Sequence, residues 1–174
     1  MNATPTAHIV GKSLELTLDL VHDIYRRQQL ALIYHQGTRA IPTAGGWKAI
    51  ESRPDYAGLL YVTKFRPAIH VEFDAKHCAS RRYIHPKKRE HQLRKLWDVH
   101  EAGGIAGLLV VNLAEEMAWW LPPQPEWAFG EFTSTVLGEQ ERTLPVGCHP
   151  QFSEFVPDWL SVVIKQVGTY VRYS

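Results

Sequence analysis

The sequence predicts an α/β protein built on a mixed β-sheet flanked by helices. Three observations lead there. Residues 69–76, I-H-V-E-F-D-A-K, alternate apolar and polar, as a strand does when one face packs into a core. Residues 105–113, I-A-G-L-L-V-V-N-L, are almost continuously apolar, as in a strand covered on both faces. The segments also run in the order helix, hairpin, helix, buried strand, strand, which puts helices on the faces of a mixed sheet.

Taken in order, residues 1–10 show little pattern and read as a flexible tail on a single domain of 174 residues. A helix is expected from Ser13, the N-cap, with Glu15 in its first turn and Arg26 and Arg27 near its far end. Leu14, Leu18, Val21 and Tyr25 keep helical spacing. Residues 30–34 form a short strand. Residues 36–48 read as loop, broken by Gly37, Pro42, Gly45 and Gly46. Strands at 56–62 and 68–76 are joined by T-K-F-R-P as a hairpin, and residues 77–86 follow as a basic loop. Residues 87–101 form a helix carrying Leu93, Leu96, Trp97 and His100 on one face, and Gly103-Gly104 stops it. After the buried strand, M-A-W-W-L pairs beside it, and L-P-P-Q-P at 121–125 is a rigid loop. The stretch to Pro157 is irregular, and residues 159–165 form a last helix. Trp119, Trp120, Trp127 and Phe129 furnish either a dimer face or a second half of the core.

Composition excludes several classes. No apolar run approaches the ~20 residues of a membrane span, and residues 1–9 lack a signal-peptide pattern. Two cysteines, Cys78 and Cys148, make no disulfide framework, so a cytoplasmic protein is the default. The pairs His77-Cys78 and Cys148-His149 lack the spacing of a zinc site. Gly11-Lys12-Ser13 fails as a phosphate loop, because Thr6 stands where that loop needs glycine. The net charge of +1 hides a polarity: residues 1–100 hold 16 Lys/Arg against 9 Asp/Glu, and residues 101–174 hold 3 against 9. Seven basic residues crowd into 81–95, a field that favours a polyanion.

Chemistry gathers at the alternating strand. Period two puts Glu72, Asp74 and Lys76 on one side and Ile69, Val71, Phe73 and Ala75 on the other. A hairpin that folds back brings Asp55, at the start of the preceding strand, beside Asp74 and Lys76. Two carboxylates offer hard oxygens at the ~2.1 Å that Mg²⁺ requires, with phosphate and water completing the shell. A lysine there holds an attacking water or the charge developing on a phosphate. Alone, D-x-K is a charged strand in which Lys76 pairs Asp74. The weight comes from its coincidence with Pro54-Asp55, Glu15 and the basic segment.

The series G-K-S-L-E, P-D-Y-A-G, H-V-E-F-D-A-K, R-E-H-Q-L-R-K-L and E-A-G-G-I-A-G-L-L-V, over residues 9–113, resembles the RecU-type Holliday junction resolvases. Its P-D…D-A-K resembles the core of the PD-(D/E)XK nucleases. The resemblance implies a restriction-endonuclease-like fold and a homodimer that resolves four-way DNA junctions by paired, symmetric, Mg²⁺-dependent cuts, with Mn²⁺ substituting. It makes Asp55 and Asp74 metal ligands, Glu15 a further acid acting through a metal-bound water, Lys76 the residue serving water or phosphate, and Gln92 an orienting group. Arg39, Lys48, Arg81, Arg82, Lys87, Lys88, Arg89, Arg94 and Lys95 are the candidates for DNA backbone contact, and Trp47 is a candidate to stack on a base. The chain also departs from the pattern. The acid before Ala75 is usually glutamate and here is Asp74, with Glu72 near enough to substitute or assist. The span from Asp55 to Asp74 is long, and the loop at 37–53, from which the family projects a stalk, is short. A nuclease of the same fold acting on flaps or DNA ends, or a non-catalytic DNA-binding module, remains as an alternative.

Overall fold

The alternation at 69–76 resolves into the third strand of a six-stranded sheet. In spatial order the sheet runs β1 (Ala31–His35), β4 (Tyr56–Leu60), β5 (Ile69–His77), β7 (Ile105–Asn112), β8 (Met117–Leu121) and β10 (Leu144–Val146). β5 and β7 are parallel, and the other neighbours are antiparallel. Two ribbons stand outside the sheet, β2 (Ala40–Thr43) with β3 (Gly46–Ala49) and β6 (Arg82–Tyr83) with β9 (Thr135–Val136). The helices are α1 (Pro5–Arg27), α2 (Glu90–Glu101) and α3 (Trp159–Tyr170), with a 3₁₀ helix at Pro125–Phe129. This computed structural model describes residues 5–37, 40–49, 53–61, 68–85, 89–139 and 142–170, leaving aside the side chains of 5–12, 40–41, 47–49 and 166–170. Arg39, Lys87, Lys88 and the T-K-F-R-P connection therefore lie outside the described residues, as do the side chains of Trp47 and Lys48.

The sheet has a core on each face. On one, Leu14, Leu18, Val21 and Tyr25 of α1 pack with Val71 and Phe73 of β5, Leu109 and Val111 of β7, and Trp159, Leu160 and Val163 of α3. On the other, Leu93 and Leu96 of α2 pack with Leu108 and Val110 of β7 and with Trp119, Leu121 and Trp127. Successive residues of β7 thus enter opposite cores, which is why its run is apolar without a break. Trp119, Trp120 and Trp127 are core residues, whereas Phe129 is 70% exposed.

Several expected boundaries shift. α1 begins at Pro5 rather than Ser13, so residues 5–10 of the expected tail are helical. Pro5 suits a first helical position, where no N–H is needed, and Ser13 lies inside the helix, its carbonyl accepting from Thr17 Oγ1 at 2.9 Å. The 36–48 loop contains the β2–β3 hairpin, and its apparent breakers are the turn itself: Gly46 has φ 122° and Thr43 Oγ1 bonds its carbonyl at 2.8 Å. β5 extends to His77, and the basic loop after it holds β6. α2 starts at Glu90, and the irregular stretch contains the 3₁₀ helix, β9 and β10. α3 runs on to Tyr170.

Candidate active site

Register places the site. Tyr56 pairs with Phe73 across the antiparallel β4–β5 ladder, so the residue before Tyr56 falls opposite Asp74. The Asp55 N–H donates to Asp74 Oδ1 at 2.8 Å, and Asp55 Oδ2 accepts from the Ala75 N–H at 3.3 Å. Lys76 Nζ lies 2.7 Å from Asp55 Oδ2 and 3.2 Å from Asp74 Oδ2. The expected convergence of Asp55, Asp74 and Lys76 is therefore present, with the lysine bridging both acids.

Two features hold Asp55 in place. Gln92 is buried in α2, and its Nε2 donates to the Arg53 carbonyl at 3.3 Å, fixing the chain just before Pro54-Asp55. Gly58, in the P-D-Y-A-G stretch, lets β1 approach β4: a Cβ there would lie 2.0 Å from the Leu32 carbonyl oxygen. That approach lets the Gln36 N–H reach the Asp55 carbonyl at 2.7 Å.

Electrostatics set Asp74 apart. Its side chain is fully buried. Burial pushes its carboxyl above the ordinary 3.8, and the charge of Asp55 adds to that, against the opposing Lys76 ammonium and Asp55 N–H. Asp74 Oδ2 is buried without a hydrogen bond, with the Lys76 ion pair as its relief. A divalent cation suits this pair: it would offset two adjacent carboxylates, one of them strained by desolvation. Among the described residues no three His, Cys, Asp or Glu side chains are grouped to hold an ion. Such a cation would thus need water or phosphate to complete its shell, as Mg²⁺ commonly does.

The other candidates divide. Glu15 is exposed and lines the same pocket of about 410 Å³ as Asp55, Lys76 and Arg89. Glu72 turns elsewhere: its Oε1 lies 3.1 Å from His70 Nε2 and its Oε2 3.4 Å from Lys95 Nζ. Lys95 is accordingly engaged with that acid. Arg82 donates to Ser134 Oγ at 3.0 Å and Arg94 to the Phe129 carbonyl at 2.9 Å, which orients both on the surface, and Arg81 is exposed.

Sequence reasoning missed His35 and His77, which also line the pocket, and Tyr83. Burial, then the charge of Asp74, pushes the Tyr83 phenol up. His77 had a findable signal, since it follows Lys76 directly, and burial pushes its imidazole down. His35 had none, because only the β1–β4 register, His35 opposite Tyr56, brings it there.

A mixed sheet flanked by helices, with two acids and a lysine joined across adjacent strands, is consistent with an α/β nuclease-like arrangement. The chain belongs to the RecU family, Recombination protein U, whose family model matches residues 10–125. No curated protein matches it. Among solved structures it is similar to Archaeoglobus fulgidus Hjc, a Holliday junction resolvase from an archaeal hyperthermophile, with TM-score 0.37 and 11% identity, covering 71% of this chain and 82% of that one.

Proposed function

We propose that this protein is a structure-selective endonuclease that resolves four-way DNA junctions by Mg²⁺-dependent phosphodiester hydrolysis, acting as a homodimer. The observation that carries the reading is the Asp55–Asp74–Lys76 cluster in a chain of the RecU family. Asp55 and Asp74 would hold the cation, with Glu15 facing the same pocket to complete the acidic surround. When bound, Mg²⁺ lowers the pKa of a water and offsets charge on phosphoryl oxygens. Lys76, mostly buried and fixed by two acids, presents its ammonium to the water or scissile phosphate. Gln92 acts by position, holding the turn that carries Asp55. Arg81, Arg82, Arg89 and Arg94 meet the phosphate backbone, so recognition is of shape rather than sequence. Two copies related by a twofold axis place one such site against each of two opposed strands.

The test is cleavage of labelled four-way junction, duplex and flap with and without Mg²⁺, for the wild type and Asp74→Ala. The expected result is Mg²⁺-dependent paired incision of the junction by the wild type and none by the variant. Preferred cutting of flaps or ends would give the fold a different substrate. Junction binding with no cleavage under any divalent ion would make the protein a binding module.

A further inference from the structure

On the α2 side, the part of the sheet formed by β1 and β4 is open. Tyr34 is 60% exposed, Tyr61 41% and Leu59 36%. In the register, Tyr34 faces Ala57 and Leu59 faces His70, so these side chains share one sheet surface. Tyr34 and Leu59 line a groove of about 550 Å³, lined also by Arg53 and Glu72. The groove is built onto the active site: Arg53 lies two residues before Asp55, and Gln36, which also lines it, bonds the Asp55 carbonyl.

The charges of the groove favour an anion. Glu72 is its carboxylate, and His70 and Lys95 already engage it. Arg53 is exposed and has no carboxylate partner among the described residues. A bare sheet face that presents an aromatic ring beside a cation suits a nucleotide, because each base offers a π-face and each phosphate a charge. A second copy fits less well, since an isologous contact would cover Arg53 while the groove's own carboxylate, Glu72, is already engaged by His70 and Lys95.

We propose that this open face binds unpaired nucleotides at the branch point of the DNA substrate, one base stacking on Tyr34 while a neighbouring phosphate meets Arg53. The inference rests on the junction-cleaving reading above and adds how the branch point is told from plain duplex. Tyr34 selects the substrate, and Asp55, Asp74 and Lys76 cut it.

The test uses the full chain with Ca²⁺ in place of Mg²⁺, a four-way junction carrying 2-aminopurine at the branch point, and a duplex of the same arm sequence. Wild type, Tyr34→Ala and Tyr34→Phe are compared by fluorescence anisotropy, 2-aminopurine emission and sedimentation. Tyr34→Ala is expected to weaken junction binding by about 5- to 100-fold. It should leave duplex binding within about twofold and abolish the emission change, and Tyr34→Phe should behave as wild type. Unchanged junction binding by Tyr34→Ala, or an equal loss on duplex, would overturn the proposal. So would a fall in sedimenting mass from dimer to monomer, which would make the face a contact between copies. If the wild type itself showed no preference for the junction, the function beneath the inference would fall with it. A preference shared by wild type and Tyr34→Ala removes the inference alone.

Discussion

Asp74 is the residue on which folding and the proposed activity pull in opposite directions. Its carboxyl is pushed up by burial, so between 3.8 and its raised folded value the native chain holds a proton that the unfolded chain has lost. Stability therefore falls as pH rises through that window, and at neutral pH the ionised group is a cost to the fold. A cation held by Asp55 and Asp74 would reverse the cost. Mg²⁺ at about 100 times its dissociation constant is expected to stabilise the protein at pH 7 by about 2.7 kcal/mol. Thermal melts with and without Mg²⁺ check this, and Asp74→Ala should erase the increment. The same substitution should abolish cleavage while leaving junction affinity unchanged or higher, because a charge that repels phosphate is gone; a band-shift titration beside the cleavage gel reads both. The acids and the lysine were legible in the sequence, because strand period and hairpin folding bring them together without any other information. Glu72 was not separable from Asp74 on those grounds. What divides them is the placement of His70 and Lys95, and Lys95 reaches Glu72 from α2 rather than from the strand.

At the scale of elements, two contacts hold the site's frame, and each makes a prediction. The first is the close approach of β1 to β4 at Gly58. Gly58→Ala would drive a methyl group into the Leu32 carbonyl, which is backbone and cannot rotate away. It should destabilise the fold by about 1–3 kcal/mol in urea titration and slow cleavage by loosening the Gln36–Asp55 bond. The second joins α1 to α3. Trp159 Nε1 donates to His22 Nε2 at 3.1 Å, and Tyr25 Oη donates to Asp158 Oδ1 at 2.6 Å. Burial, with His35 nearby, pushes the His22 imidazole down to about 3, so the native state keeps it neutral where the unfolded chain protonates. Stability should drop as pH falls below the ordinary histidine value of 6.5. The loss is about 1.4 kcal/mol per pH unit until the native state itself takes the proton. His22→Gln, which keeps an acceptor for the indole, should flatten that part of the stability–pH curve in denaturant melts at pH 4.5–7. β1, β4, β5, β7, β8 and α2 were readable because their apolar pattern is strong, whereas the short edge strand β10 was not. The β2–β3 and β6–β9 ribbons were not, since short polar strands around glycine and proline have the composition of loops. The early start of α1 was hidden because residues 1–10 show little pattern, although a first turn accepts Pro5 and a helix tolerates Gly11.

For the whole molecule, Asp55, Asp74 and Lys76 form one cluster beside the pocket that Arg89 lines. On the proposed reading, that cluster serves one cut at a time. If paired cutting of a junction takes two chains, as proposed, a consequence follows that differs between one-chain and two-chain action. In a supercoiled plasmid with an extruded cruciform, the first nick releases the supercoiling that holds the cruciform out. In two-chain action the second cut comes from the partner chain before the cruciform is reabsorbed. A heterodimer of wild type and Asp74→Ala, purified through different tags, is expected to give nicked circles, where the wild-type homodimer gives linear plasmid. Linear product from the heterodimer would mean that one chain makes both cuts in turn, and would remove the argument for a twofold dimer as the active species. Nicked circles from both proteins would place the cuts in independent encounters, and agarose electrophoresis distinguishes all three outcomes.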